Sequence, residues 1–442
     1  MKKRPNLIPL LLLLVFNGFS YKVISQTLPD TVSFHEILSI ALENNFRLIV
    51  LGNETEIAGN NNTAGAAGLL PSLDVAATNN NSVVNSKQQF YDGRVREAND
   101  ALNNSFTALA ALNWTVFNGR KLMAEKDILE ELENIGLLNL QQEIEFISLD
   151  LASLYFQLVQ EQKLLQVLKY TLEVSRARLH LAEKKFALGA ASEVDLNQAR
   201  IDMSTDSTLF IRQDVLIKNL AADINALAGR SPEIEFSAEH DILLGEKVDY
   251  QVLLDSMQSQ NYSLLLMRAN VQLAYLDIKQ KRAGLMPALS LFTNYSYSTS
   301  RSETGLLETS TQSGPAFGFN FSYTLFDGLN SRREMQNSKI NHQSAQVRVD
   351  ETLNSLHAEL FKMYNSYIGA AKQVILEQKN LENASKNLTI AIELYKSGAI
   401  NEIEFRDIQR KALEAENRLL VAEFTTKIAE LSLKQISGTL KF

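Results

Sequence analysis

Two periods alternate along the chain. From about Val32 to Gly68 the pattern predicts helix, stopped at Leu70-Pro71 because proline disfavours a helical residue before it. A period of two then takes over. Leu73, Val75 and Ala77 share one face of a strand, and Asp74 and Thr78 the other. The polar stretch from Asn79 to Asn104 is expected to be loop. Phe106, Ala108, Ala110, Leu112, Trp114 and Val116 then alternate with Thr107, Asn113 and Thr115 in a second strand. After Gly119 the period lengthens. Ile144, Ile147, Leu151, Leu154, Leu158, Leu165 and Leu168 step by three and four, broken once at Glu161, as a heptad seam does. The seam predicts a helical arm from Arg120 to Leu188, roughly 100 Å long at 1.5 Å per residue. Gly189 interrupts it, and a shorter helix returns to near Gly229.

The same succession occurs twice. Phe117-Asn118-Gly119 reappears as Phe326-Asp327-Gly328, Gly189-Ala190 as Gly398-Ala399, and Gly229 as Gly438, each 209 residues on. Upstream the offset is 216: Leu70-Pro71-Ser72-Leu73 matches Met286-Pro287-Ala288-Leu289. The first copy therefore has seven extra residues between Leu73 and Phe117. In the second copy Leu289, Leu291, Tyr295 and Tyr297 alternate, and so do Phe317, Phe319, Phe321, Tyr323 and Leu325. These strands are expected to be about 10–13 residues long, enough for transmembrane strands with aromatic faces. The seam recurs at Leu353, Leu356, Leu360, Met363, Tyr367, Ala370 and Val374. The expected division is an export signal at 1–25, a first repeat at 26–229, a charged connector at 230–247 and a second repeat at 248–442.

The start of the chain reads as that signal. Lys2, Lys3 and Arg4 precede an apolar core from Leu7 to Phe16, and Val23-Ile24-Ser25 suits a signal peptidase. The core is too short for a bilayer, which takes roughly 20 apolar residues. No later segment has a transmembrane helix pattern. An exported chain with such strands is expected in an outer membrane of a Gram-negative bacterium. Composition narrows the chemistry. Lys+Arg 43 against Asp+Glu 51 leaves −8, unlike the basic face of a nucleic-acid binder. Cysteine is absent, which excludes disulfides, thiolate metal sites and a lipid anchored on cysteine. No phosphate loop, HExxH or Ser/His/Asp order occurs, so neither an enzyme nor a cofactor or metal is expected.

Four strands cannot close a barrel, and an open sheet edge in lipid leaves backbone groups unpaired. The chain must then assemble; three copies give twelve strands and two give eight.

The duplicated LPSL, FNG and glycine-turn blocks, with FALGAASEVDLNQA after the long helix, resemble the TolC-like outer-membrane efflux proteins over nearly the whole mature chain. The resemblance implies a homotrimer: one shared 12-stranded β-barrel, continued by a periplasmic α-helical coiled-coil barrel. It implies docking to a periplasmic adaptor (membrane fusion protein) and an inner-membrane pump. It places Gly189, Ala190, Gly398 and Ala399 at the hairpin tips that meet the adaptor. It also puts Glu404 and Asp407 in a ring at the pore constriction, where like-charge repulsion would raise some of their pKa values. Acidic residues at a helix start are equally at home as dipole partners in solvent. A tip latch between Asp195 and Tyr395 is implied as well. Family members add a basic residue two positions after the second tip glycine; here that position is Ile400, so the latch is expected to be weaker or replaced by apolar packing. Trp114, Phe319 and Tyr323 are expected to face lipid.

The leading reading is a passive outer-membrane exit duct of a tripartite efflux system. The exit channel of type I protein secretion uses the same fold. A structural coiled-coil envelope protein is the reading from another class, and the paired strands and export signal argue against it.

Overall fold

The computed structural model describes residues 31–239, 242–245, 249–305 and 307–441. The export signal expected at 1–25 lies outside the described residues. The chain begins with β1 (Thr31–Val32), α1 (Phe34–Asn44) and α2 (Phe46–Asn61). A hairpin of β2 (Ser72–Gln89) and β3 (Val95–Asn118) follows, then α3 (Lys121–Ala187) and α4 (Glu193–Leu227). The connector holds β4 (Ser237–Ala238), which pairs in parallel with β1. The order then recurs as α5 (Tyr250–Gln260), α6 (Tyr262–Ala283), β5 (Ala288–Ser302), β6 (Thr309–Ser322), α7 (Asn330–Ser397) and α8 (Glu402–Ile436).

Two helices set the length of the molecule. α3 and α7 have 67 and 68 residues, roughly 100 Å each. Near the sheet α2 and α6 pack against them, in the order α2–α3–α6–α7; beyond the connector the order is α4–α3–α8–α7. The chain is thus a strip four helices wide along most of its length. The heptad seam is its core: Ile147, Leu151, Leu158, Leu168, Leu360, Tyr367, Ala370 and Val374 are all buried.

The helix expected over Val32–Gly68 is broken at Asn45, because this residue serves two helices. Its Oδ1 accepts from the Arg47 and Leu48 N–H groups and caps α2, while its Nδ2 donates to the Leu227 carbonyl at the end of α4, 2.8 Å away. Asn261 does the same between α6 and α8, accepting from Leu264 N–H and donating to the Ile436 carbonyl. Gly229 and Gly438 complete each junction. Both have positive φ, and a Cβ on either would overlap the backbone of Asn44 or Gln260. Only glycine fits both demands.

The sheet order is β2–β3–β5–β6, antiparallel throughout. The expected loop over Asn79–Asn104 is corrected: β2 runs to Gln89 and β3 starts at Val95, so this segment is the outer half of a hairpin. Its polar residues pair across the ladder, as where Asn104 donates to Asn79 and Asn81. Neither face there is apolar, so no period of two marks the strands. Arg96 donates to the carbonyls of Gly305 and Glu303, tying this hairpin to the loop of the shorter β5–β6 hairpin.

Candidate pore tip and lipid-facing sheet

At the far end of the helices each hairpin reverses on glycine. Gly189 and Gly398 have φ of 71° and 77°, with nothing near enough to crowd a side chain. Here the need for glycine is conformational. The Ala190 and Ala399 N–H groups bond back to the Lys185 and Leu394 carbonyls, 2.8 Å each, closing Schellman turns. All four turn residues are exposed.

The returning helices start with capping boxes. Ser192 N–H and Oγ–H both donate to Asp195, and Asp195 N–H donates back to Ser192 Oγ. Asn401 and Glu404 repeat this: Asn401 N–H reaches the Glu404 carboxylate at 3.0 Å, and Glu404 N–H reaches Asn401 Oδ1 at 2.9 Å. The Ser192 bonds hold the Asp195 carboxyl below its ordinary range. Asp407 is bridged by Lys411 at 2.6 Å and Arg410 at 3.0 Å, and these bonds lower its pKa. In the isolated chain Asp407 therefore titrates opposite to the direction expected for a crowded ring.

Within one chain Asp195 and Tyr395 have separate partners. The Tyr395 hydroxyl donates to Glu402 on its own hairpin, while Asp195 is engaged by Ser192. The competing interactions are local, three to seven residues away, and need no second hairpin. What joins the hairpins is a cluster that sequence reading missed. Arg178 of α3 meets Asp202 of α4 at 3.1 Å, Gln409 of α8 at 3.1 Å, and Glu402. Arg406 of α8 grips Asp206 of α4 through two bonds of 2.7 and 2.9 Å, and Ser175 of α3 donates to the same carboxylate. Arg178, Asp202, Asp206 and Gln409 are all buried. Burial works against the Arg406 cation, but the Asp206 bonds override it and raise its pKa. Toward the turns, Ala391, Tyr395 and Phe405 form an apolar cluster with Leu181 and Ile400. Ile400, two positions after the tip glycine, thus packs in an apolar cluster. A signal was present: Ser175, Arg178, Asp202 and Asp206 continue the three-and-four spacing of buried positions.

The ladder also defines faces, since directly opposed residues point the same way. Trp114 pairs with Leu291, which pairs with Phe319; Leu112 leads similarly through Thr293 to Phe317, and Ala110 through Tyr295 to Pro315. This face is apolar and exposed, with Phe319 at 70%. The other face is mostly small or polar, as in Thr78, Thr107, Ser298 and Gln312. Trp114 sits at the helical end of the sheet, its Nε1 donating to the Leu69 carbonyl at 3.0 Å. β6 ends at Ser322, so Tyr323, expected on the lipid side, stands one residue past the strand in the link toward α7 and is exposed. The backbone there turns toward two left-handed residues, Gly328 and Leu329, so the strand cannot continue to the helix.

The family pattern described as outer membrane efflux protein matches residues 37–229 and 253–439. The chain is 22% identical to outer membrane protein TolC of Salmonella enteritidis, over 98% of this chain and 86% of that protein. It is 23% identical to the alkaline protease secretion protein AprF of Pseudomonas aeruginosa, over 60% of this chain and 56% of that protein. Among solved structures, the CmeC outer membrane channel of Campylobacter jejuni shares 16% identity and a TM-score of 0.76, over 92% of this chain and 85% of that one. With the doubled match spanning most of its length, the chain belongs to the outer membrane efflux protein family and is a channel protein of the Gram-negative outer membrane.

Proposed function

We propose that three copies of this chain, each an internal repeat of one helix–hairpin–helix unit, form a passive exit duct through the outer membrane. The observation that carries this is the four-stranded sheet with an exposed apolar face and two free edges, β2 and β6. Lipid does not tolerate such edges. Eight strands, from two chains, would leave an interior filled by side chains. Twelve strands, from three, leave room for a duct. Eleven residues of β5 from Leu289 to Thr299 span the apolar band, about 33 Å over ten steps along the strand. Tilted by about 40°, that is close to the ~25 Å apolar height of outer-membrane barrels. Trp114 and Phe319 then contact lipid, and the outer hairpin extends beyond the membrane.

The helical strips close into a periplasmic tunnel by joining α4 of one chain to α7 of the next. Gly189, Ala190, Gly398 and Ala399 form the rim that a periplasmic adaptor engages, with the inner-membrane pump supplying energy. Glu404 and Asp407 line the constriction. The mass of the amphipol-held protein should be that of three chains, and planar bilayers should show cation-preferring conductance. Glu404→Ala with Asp407→Ala should raise conductance and weaken block by divalent cations. A monomer that stays soluble without detergent would sink the assembly. Unchanged conductance would move the constriction elsewhere. Likeness to a protease secretion protein supports a second reading, the exit channel of type I protein secretion.

A further inference from the structure

One face of α8 is covered near the connector and bare below it. Lys427 donates to the Leu243 carbonyl at 2.8 Å, and Gly245 N–H donates to Glu430 at 2.9 Å. A Cβ on Gly245 would overlap the Glu430 carboxylate, so the connector lies tightly on this face. Toward the tip the same face carries Glu423, Leu420, Glu416, Leu413 and Gln409, the floor of a groove of about 710 Å³. Val167 and Val174 of α3 form one wall, and Leu388 and Ile392 of α7 the other. By helical period this face lies opposite Glu404 and Asp407.

Two carboxylates interrupt the apolar floor. Glu416 and Glu423 are seven residues apart, two helical turns or about 10 Å. Among the described residues neither makes a hydrogen bond or an ion pair. Burial pushes both carboxyls above the ordinary range; Lys163 of α3 opposes this at Glu423 but not at Glu416. The remaining polar groups on the walls are the Tyr170 phenol, Gln166 and Thr171 from α3, the last donating to the Val167 carbonyl, and the Ser385 and Thr389 hydroxyls from α7. With Glu423 offset by Lys163, the uncompensated charge is at Glu416.

We propose that this groove binds an amphipathic organic cation, its apolar body along Val167, Leu388 and Leu420 and its charge against Glu416. The volume fits a small organic molecule, which occupies pockets of roughly 300–1,000 Å³. Apolar walls favour a delocalised or alkylated cation over a hydrated one. Carboxylates about 10 Å apart cannot share one divalent ion, whose oxygen ligands lie at about 2.0–2.6 Å. The site is read from the groove alone and does not depend on the duct.

The test uses the full chain in amphipol with tetraphenylphosphonium, and tetraphenylborate as the anion of the same shape. Calorimetry should show one saturable phosphonium site per chain, at least about tenfold tighter than the borate, a gap of about 1.4 kcal/mol. Glu416→Gln should abolish most of that preference, and Lys163→Gln should strengthen phosphonium binding by removing a competing cation. Binding should weaken as pH falls from 8 to 5, because both carboxyls take up protons in the groove, and Glu416→Gln should flatten this profile. Ile392→Trp should fill the groove and weaken both ions. Equal affinity for the two ions would leave only an apolar groove. That result, insensitivity to both charge variants, or the absence of saturable binding overturns the proposal.

Discussion

Charge at this protein's tip is divided between water and interior, and the two kinds should respond differently to mutation. Arg410 holds Asp407 and Glu414 on an exposed surface, where such pairs add little. Arg178 is buried among Asp202, Glu402 and Gln409. Arg178→Met leaves Glu402 without a cation and Asp202 with Arg406 alone, 3.7 Å away, at a cost of about 3–5 kcal/mol. Its melting temperature in detergent should fall well below the parent's, and protease should cut α3 faster, while Arg410→Ala behaves like the parent. Equal effects would show that the cluster is not buried in the assembly. Glu145, about a third of the way along α3 from its sheet end, offers a pH test away from the tip. Burial raises its carboxyl from 4.5 to about 7, so the folded chain binds this proton more tightly than the unfolded one. Stability therefore falls as pH rises from about 4.5 through 7, and the loss is complete above that. Glu145→Gln should raise the melting temperature at pH 8 and leave it unchanged near pH 4. The capping acids were legible as residues suited to helix starts. The Arg178 cluster was not, because Ser192 and Asp195 need only each other, whereas Arg178 needs three helices to become a site.

At the scale of elements, legibility followed the surroundings of each face. The long helices were readable because one stripe of each is buried for its whole length. The strands were readable only between the apolar ends of the band. Phe106 to Trp114 alternates strongly, while Asn79 to Asn104 alternates nothing, although the antiparallel ladder continues through both with one register shift between Val84 and Ser86. A strand leaving the membrane has water on both faces and loses its pattern, not its hydrogen bonds. Within the band the two faces should separate cleanly. Phe319 shares its face with Leu291 and Trp114; its neighbour Asn320 pairs with Ser290 on the other. Phe319→Arg should hinder insertion by about 2–4 kcal/mol if the residue lies near the midplane and less toward an interface. Asn320→Arg should insert nearly normally. The measurement is the fraction recovered in the membrane after refolding into vesicles, and comparable losses at both positions would reverse the faces.

For the whole molecule, the tip cluster decides where movement can occur. The ionic network and the apolar group around Phe405 bind α3, α4, α7 and α8 of one chain together. The free edges are α4 and α7, so a trimer of such strips should open by parting its chains, not by splitting the hairpins of one chain. Ile201 on α4 and Ile390 on α7 are 58% and 57% exposed. They lie at similar heights, eleven residues beyond Ala190 and nine before Ala399, or about 16 and 13 Å from the turns. The absence of cysteine makes the experiment clean. Ile201→Cys with Ile390→Cys, treated with a short bis-maleimide, should yield a covalent three-chain species and lock the channel in its low-conductance state. With a disulfide in place of the maleimide, reduction should restore opening. Leu181→Cys with Ile408→Cys joins helices already packed in one chain, and should leave both chain mass and opening unchanged. If the second pair locks the channel and the first does not, the hairpins of a single chain move apart, and the buried cluster is a latch that opens and not a fixed joint.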